Sequence, residues 1–137
     1  MLEGISGSPA LSPDGQRVAF VRDTNSDDSL VIASLDGFGE QVLVSCKRPE
    51  GISPYRAAWS PDGKTLAYCH YSPNWILTTI PAEGGPAQPV AGAKGCSGIL
   101  DLTWLSENRH LLVAGVFGHT QAAQLYEVSL KAGAHRY

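Results

Sequence analysis

The sequence predicts an all-β fold, a partial β-propeller of about three four-stranded antiparallel blades with the third blade incomplete. Three observations carry that prediction. The decapeptide Ser12-Pro13-Asp14-Gly15-Gln16-Arg17-Val18-Ala19-Phe20-Val21 returns 48 residues later as Ser60-Pro61-Asp62-Gly63-Lys64-Thr65-Leu66-Ala67-Tyr68-Cys69. A looser third copy, Trp104-Leu105-Ser106-Glu107-Asn108-Arg109-His110-Leu111-Leu112-Val113, lies 45 residues beyond the segment that starts at Trp59. No stretch shows a sustained 3.6-residue apolar period; short apolar runs alternate with Gly- and Pro-bearing turns instead. Four strands in a repeat of this length make a propeller blade.

The chain reads as one domain, residues 1–137, with blade 1 at about 8–46, blade 2 at about 55–91 and blade 3 at about 99–137. Each Pro-Asp-Gly is a tight turn, with Pro setting φ and Gly taking the corner that needs positive φ. Asn108 stands at that corner in the third copy, and Asn is the residue after Gly that best accepts it. The turn joins a short strand, such as Arg56–Ser60, to a longer one, such as Thr65–Tyr71. Third strands follow at Ser29–Leu35, Trp75–Ile80 and Gln124–Leu130, each ending in a Gly-bearing turn. Fourth strands are expected at Gln41–Ser45 and at Gln88–Val90, the latter on a sheet edge because Pro89 cannot donate to a ladder. Blade 3 runs out at Ala134–Tyr137, so it is expected to lack most of its fourth strand. The repetition also reaches upstream, since Glu3-Gly4-Ile5-Ser6 matches Glu50-Gly51-Ile52-Ser53.

Composition narrows the function classes. Of 137 residues, 43% are hydrophobic and 17% charged, which excludes a disordered chain. A net charge of −3 argues against a nucleic-acid binder. No apolar run is long enough for a membrane span, and the N-terminus lacks the basic-then-apolar pattern of a signal peptide. Cys46, Cys69 and Cys96 form no Cys-x-x-Cys pair and read as small buried hydrophobes. His70, His110, His119 and His135 share no metal-ligand spacing. Neither a Gly-x-Ser-x-Gly elbow nor a Gly-rich phosphate loop occurs, so no catalytic residue and no cofactor is expected. Asp23-Thr24-Asn25-Ser26-Asp27-Asp28 begins like a calcium loop, with Asp23, Asn25 and Asp27 as candidate ligands. Asp28 stands at its sixth position instead of Gly and Ser34 at its twelfth instead of Glu, which favours a plain polar loop.

Trp59 and Trp104 hold equivalent places in blades 2 and 3, where blade 1 has Leu11, and are expected to pack between blades. Trp75 differs, because it opens a strand just after the Tyr71-Ser72-Pro73-Asn74 turn. Loops held by rigid blades carry propeller function, and aromatic and Arg residues dominate protein interfaces. The candidate partner-binding residues are therefore Lys47, Arg48, Tyr55, Tyr71, Asn74, Trp75, Phe117 and His119, with Asp23 and Asp27 on the same face.

The Trp59-to-Tyr68 pattern, Trp-Ser-Pro-Asp-Gly-Lys-Thr-Leu-Ala-Tyr, resembles the TolB-like, WD-related propeller repeat, and the resemblance extends from about Ser8 to Leu130. Ile80–Gly85 and Ile99–Leu105 further resemble the subgroup attached to bacterial serine/threonine kinases or winged-helix regulators. That family implies a ring of six or so blades, more than this chain holds. Two copies closing head to tail through exposed blade faces are one expected arrangement; a segment of a longer regulatory protein is the other. The resemblance implies a non-catalytic module for a protein or peptide partner, in the cytoplasm or the periplasm. The alternatives are a propeller that accompanies a kinase or peptidase, and a propeller that binds calcium or a small ligand.

Overall fold

The computed structural model describes residues 4–53, 57–93, 96–118, 121–131 and 134–136. They form three antiparallel sheets laid face to face in chain order. Blade 1 contains β1 (Ile5–Leu11), β2 (Arg17–Asp23), β3 (Asp27–Ser34) and β4 (Gln41–Lys47) in that order. In blade 2 the inner strand is split into β5 (Gly51–Ile52) and β6 (Ala58–Trp59), both paired with β7 (Thr65–Tyr71), which continues to β8 (Trp75–Pro81) and β9 (Gln88–Pro89). Blade 3 is β10 (Cys96–Trp104), β11 (His110–Phe117), β12 (Gln124–Ser129) and β13 (Ala134–Arg136).

Pairing places Ile5 opposite Arg22 and Ile52 opposite His70, so the upstream match between the two copies belongs to the inner strands. Both sheets thus begin earlier than the sequence expectation. The fourth strand of blade 3 is present as a three-residue stub, with Ala134 opposite Val128 and Arg136 opposite Tyr126. β9 pairs only with β8 and lies on an edge, as Pro89 requires. Among the described residues no helix is long and apolar enough to cross a membrane.

The repeated turn works by the same bonds in both good copies. Ser12 Oγ donates to Asp14 Oδ1 at 2.7 Å and accepts the Arg17 amide at 2.9 Å, while Asp14 Oδ1 also accepts the Gln16 amide. Ser60, Asp62, Lys64 and Thr65 repeat the pattern at 2.6–3.0 Å. Gly15 and Gly63 sit at φ 72° and 71°, and Asn108 takes the same left-handed corner at 58°.

These bonds hold the Asp14 and Asp62 carboxyls below their ordinary value, first through the serine hydroxyls and then through backbone amides. Ser72 and His70 do the same for Glu50, and Arg22 for Glu40. A depressed folded value means the native state takes up protons less readily than the unfolded chain. The stability these groups add is therefore fully present above the ordinary values of 3.8 for Asp and 4.5 for Glu, and drains away as pH falls below them. Urea midpoints are expected to hold from pH 7 to about 5 and to fall steeply below about 4. In the Asp14→Asn, Asp62→Asn double variant the acid fall should be shallower, and an unchanged slope would refute this assignment.

Tryptophan indoles lock one blade to the one before it. Trp59 Nε1 donates to the Ala10 carbonyl at 2.8 Å, and Trp104 Nε1 donates to the Ala58 carbonyl at 3.0 Å. Around them lie two cores. Ala19, Val21, Leu30 and Ile32 meet Leu66, Tyr68 and Ile80 between blades 1 and 2. Ala67, Cys69 and Leu77 meet Leu111, Val113 and Val128 between blades 2 and 3. Arg17 ties the same joint at its turn end, donating to the Gly63 carbonyl at 3.2 Å with its guanidinium 4.9 Å from the Trp59 ring. Cys46 and Cys69 are buried free thiols, in line with a packing role, and burial beside the Asp28 and Glu50 carboxylates pushes the Cys46 thiol up.

The two end faces differ in what they bury. On blade 1 the outward Val18, Phe20, Val31 and Ala33 form a buried cluster of their own. The Arg22 guanidinium lies 5.3 Å from the Phe20 ring and is held there by a two-bonded ion pair with Glu40, at 2.9 Å for each bond. Around it Ile5, Leu11 and Val42 are exposed. The outward face of blade 3 is open at Leu125, which is 41% exposed.

Candidate interaction site between the first two blades

The site starts from a hairpin. β2 and β3 stay paired out to Asp23 opposite Asp28, and the turn between them closes through Thr24, whose amide bonds the Asp27 carbonyl at 2.8 Å. Thr24 Oγ1 donates to Asp27 Oδ1 at 2.6 Å, and Ser6 Oγ donates to Asp23 Oδ2 at 3.3 Å. The sequence from Asp23 to Asp28 therefore closes as a β-hairpin. Asp27 and Asp28 are strand residues, Asp23 and Asp27 are bonded to separate hydroxyls, and among the described residues no three acidic, His or Cys side chains are placed to share a metal ion.

Along β3, Asp28 falls on the face that carries Leu30 and Ile32, so the strand alternation drives its carboxylate inward. It is 5% exposed. Burial of an ionised carboxylate requires partners, and the connector from β4 to β5 supplies them. Arg48 Nη2 donates to Asp28 Oδ1 at 3.1 Å, and the Ile52 amide donates to Asp28 Oδ2 at 3.0 Å. A Cβ on Gly51 would stand 3.2 Å from that second oxygen, so glycine there leaves room for the carboxylate. The same Arg48 Nη2 reaches the Thr24 carbonyl at 3.3 Å, stitching the hairpin of blade 1 to the connector.

Across from this pair stands the β7–β8 turn of blade 2. Tyr71 and Trp75 face each other in register, their rings 5.2 Å apart and tilted by 56°. Trp75 is 37% exposed, unlike the buried Trp59 and Trp104. Glu50 accepts a hydrogen bond from Ser72 Oγ and lies 3.7 Å from His70 Nε2. Together these elements enclose an open cleft of about 330 Å³ whose walls include Asp23, Asp28, Arg48, Glu50, Tyr71 and Trp75.

Of the residues singled out from sequence, Arg48, Tyr71, Trp75 and Asp23 line one cleft. Lys47 ends β4 opposite Asp27 and is exposed beside the cleft without lining it, and Asn74 belongs to the turn through its carbonyl, bonded by the Ser72 amide at 2.9 Å. Phe117 is a correction. It packs 4.2 Å from the Tyr126 ring against the core between blades 2 and 3, so its role is packing and it does not join the site. Tyr55 and His119 lie outside the described residues. Sequence reasoning missed Asp28 and Glu50 as site residues. For Asp28 a signal existed, because a carboxylate two and four positions before inward-facing Leu30 and Ile32 shares their face.

Comparison with known proteins agrees with the blades. The family described as the Lipoprotein LpqB beta-propeller domain matches residues 2–66. The Tol-Pal system protein TolB of Gluconobacter oxydans is 32% identical over 113 residues, 77% of this chain. Dipeptidyl-peptidase 5 of Trichophyton equinum is 27% identical over 121 residues, 83% of this chain. The chain spans 23% of that TolB and 16% of that peptidase. The crystal structure of TolB from Acinetobacter baumannii superposes on 98% of this chain and 33% of its own, with TM-score 0.77 at 17% identity, a likeness of fold. The repeat, the three stacked sheets and these relatives together support a TolB-like β-propeller family for this chain.

Proposed function

We propose that this chain is a non-catalytic protein-interaction module that receives a peptide or loop of a partner in the cleft between blades 1 and 2, as the sensory or scaffolding part of a larger regulatory protein. The observation that carries the reading is the exposed Trp75, backed by Tyr71 and set beside the Arg48–Asp28 pair on rigid strands. Exposed aromatic and Arg side chains held in place by fixed partners are the residues that anchor interface hot spots. The likeness to TolB supports a binding role over a catalytic one. The likeness to dipeptidyl-peptidase 5 favours a second reading, in which the blades accompany an enzyme and their cleft positions a peptide for it.

The test is selection of a random peptide library on the folded chain, with subtraction on the Trp75→Ala variant. A consensus that binds the native chain and loses at least about tenfold in affinity to Trp75→Ala is expected, as for a hot-spot residue. Failure to enrich any peptide, or a consensus indifferent to Trp75, would overturn the reading.

A further inference from the structure

We propose that the cleft between blades 1 and 2 reads a basic side chain, arginine or lysine, of its partner; this rests on the interaction-module reading. The cleft walls carry three carboxylates, Asp23, Asp28 and Glu50, against one guanidinium, Arg48. That guanidinium is already committed, since its Nη2 donates to both Asp28 and the Thr24 carbonyl. Arg48 and Asp28 therefore neutralise one another, and Asp23 and Glu50 set the sign of the remaining field.

The aromatic pair suits the same ligand. Trp gives the strongest cation–π attraction of any side chain, and a charge seated on its face near carboxylates gains from both at once. Trp75 offers that ring at the mouth of the cleft, and its tilt of 56° to Tyr71 leaves the two rings as adjoining walls instead of a closed stack. An acidic ligand would meet the Asp23 and Glu50 carboxylates beside a guanidinium whose charge is already balanced by Asp28. A purely apolar ligand would strip water from Asp23 and Glu50 and leave each carboxylate with a serine hydroxyl bond in place of a full set of partners, which costs free energy.

The test uses N-acetyl-L-arginine N-methylamide as probe, with the citrulline and aspartate counterparts as neutral and acidic controls. Binding is followed by the Trp75 indole N–H shift in two-dimensional NMR. The Trp59 and Trp104 indoles are bonded to backbone carbonyls in the core and report that the fold is intact. The arginine probe is expected to saturate in the millimolar range, at least about fivefold tighter than citrulline, and to weaken as salt rises. Asp23→Asn, and Trp75→Ala with binding followed instead at the Gly51 and Ile52 amides that line the cleft, should each weaken it at least about threefold while the two core indoles stay put. Equal binding of arginine and citrulline, tighter binding of aspartate, or no shift at Trp75 would each overturn the proposal. Library selection separates the two readings. A Trp75-dependent consensus without Lys or Arg leaves the module standing and removes the basic-side-chain assignment, whereas no consensus removes both.

Discussion

Trp59→Ala is expected to cost about 3–5 kcal/mol of folding stability, the largest loss of any single substitution in the chain. The indole fills the joint between blades 1 and 2, donates to the Ala10 carbonyl, and lies under the Arg17 guanidinium. Alanine leaves a cavity that the two sheets cannot close without sliding, and it strands a buried carbonyl. Trp59→Phe should keep most of the packing and lose about 1–2 kcal/mol, the share of the hydrogen bond and the missing ring atoms. Urea unfolding of the three proteins measures both steps. Because stacked repeats depend on neighbour interfaces, Trp59→Ala should also uncouple the blades and broaden the transition. A loss below about 1 kcal/mol would mean that the blades are held together elsewhere.

Asp28→Ala comes next, at about 2–3 kcal/mol. The substitution leaves the buried Ile52 amide without an acceptor and Arg48 without its anchor. Arg48 is half-exposed and can turn to water, so most of the cost falls on the amide. Asp28→Asn keeps one acceptor oxygen and should recover part of the loss. Hydrogen exchange at the Ile52 amide is the sharper measurement: it should speed up strongly in Asp28→Ala and moderately in Asp28→Asn. If exchange there matches the native chain, the carboxylate is not what pins the connector. The same substitution frees the hairpin from the connector, so it should also weaken binding in the cleft.

These two residues show what kind of information each level of description holds. The role of Trp59 was legible in the sequence, because Trp104 repeats it and a repeated large residue marks a repeated joint. The Pro-Asp-Gly turns were equally legible, down to Asn108 in place of glycine, since the Ser–Asp bonds and the positive φ all close within six residues. The edge position of β9 followed from Pro89 alone. Strand starts were less legible. Gly51-Ile52 is too short for a periodic pattern, and only its pairing with β7 makes it a strand.

The site divides along the same line. Arg48, Tyr71 and Trp75 could be picked out as aromatic or cationic residues near loops, and they do share a cleft. Phe117 satisfied the same criteria yet lies apart from the cleft, partly buried within blade 3 against Tyr126 and the core between blades 2 and 3. Asp28 was read as a loop residue in a failed calcium pattern, although the hairpin closes early enough to place it inside a strand. What the sequence determined by itself is the repeat: strand, turn, strand, and a Trp at each joint, all set by short-range steric and hydrogen-bond chemistry. What the tertiary structure decided is which polar groups meet across that joint. Arg48 and Asp28 are 20 residues apart, and Ile52 and Asp28 24 apart. Arg48 reaches Asp28 because β3 and β4 pair, and Ile52 reaches it because blade 2 stacks on blade 1; no local run of residues encodes either long-range pairing or sheet stacking.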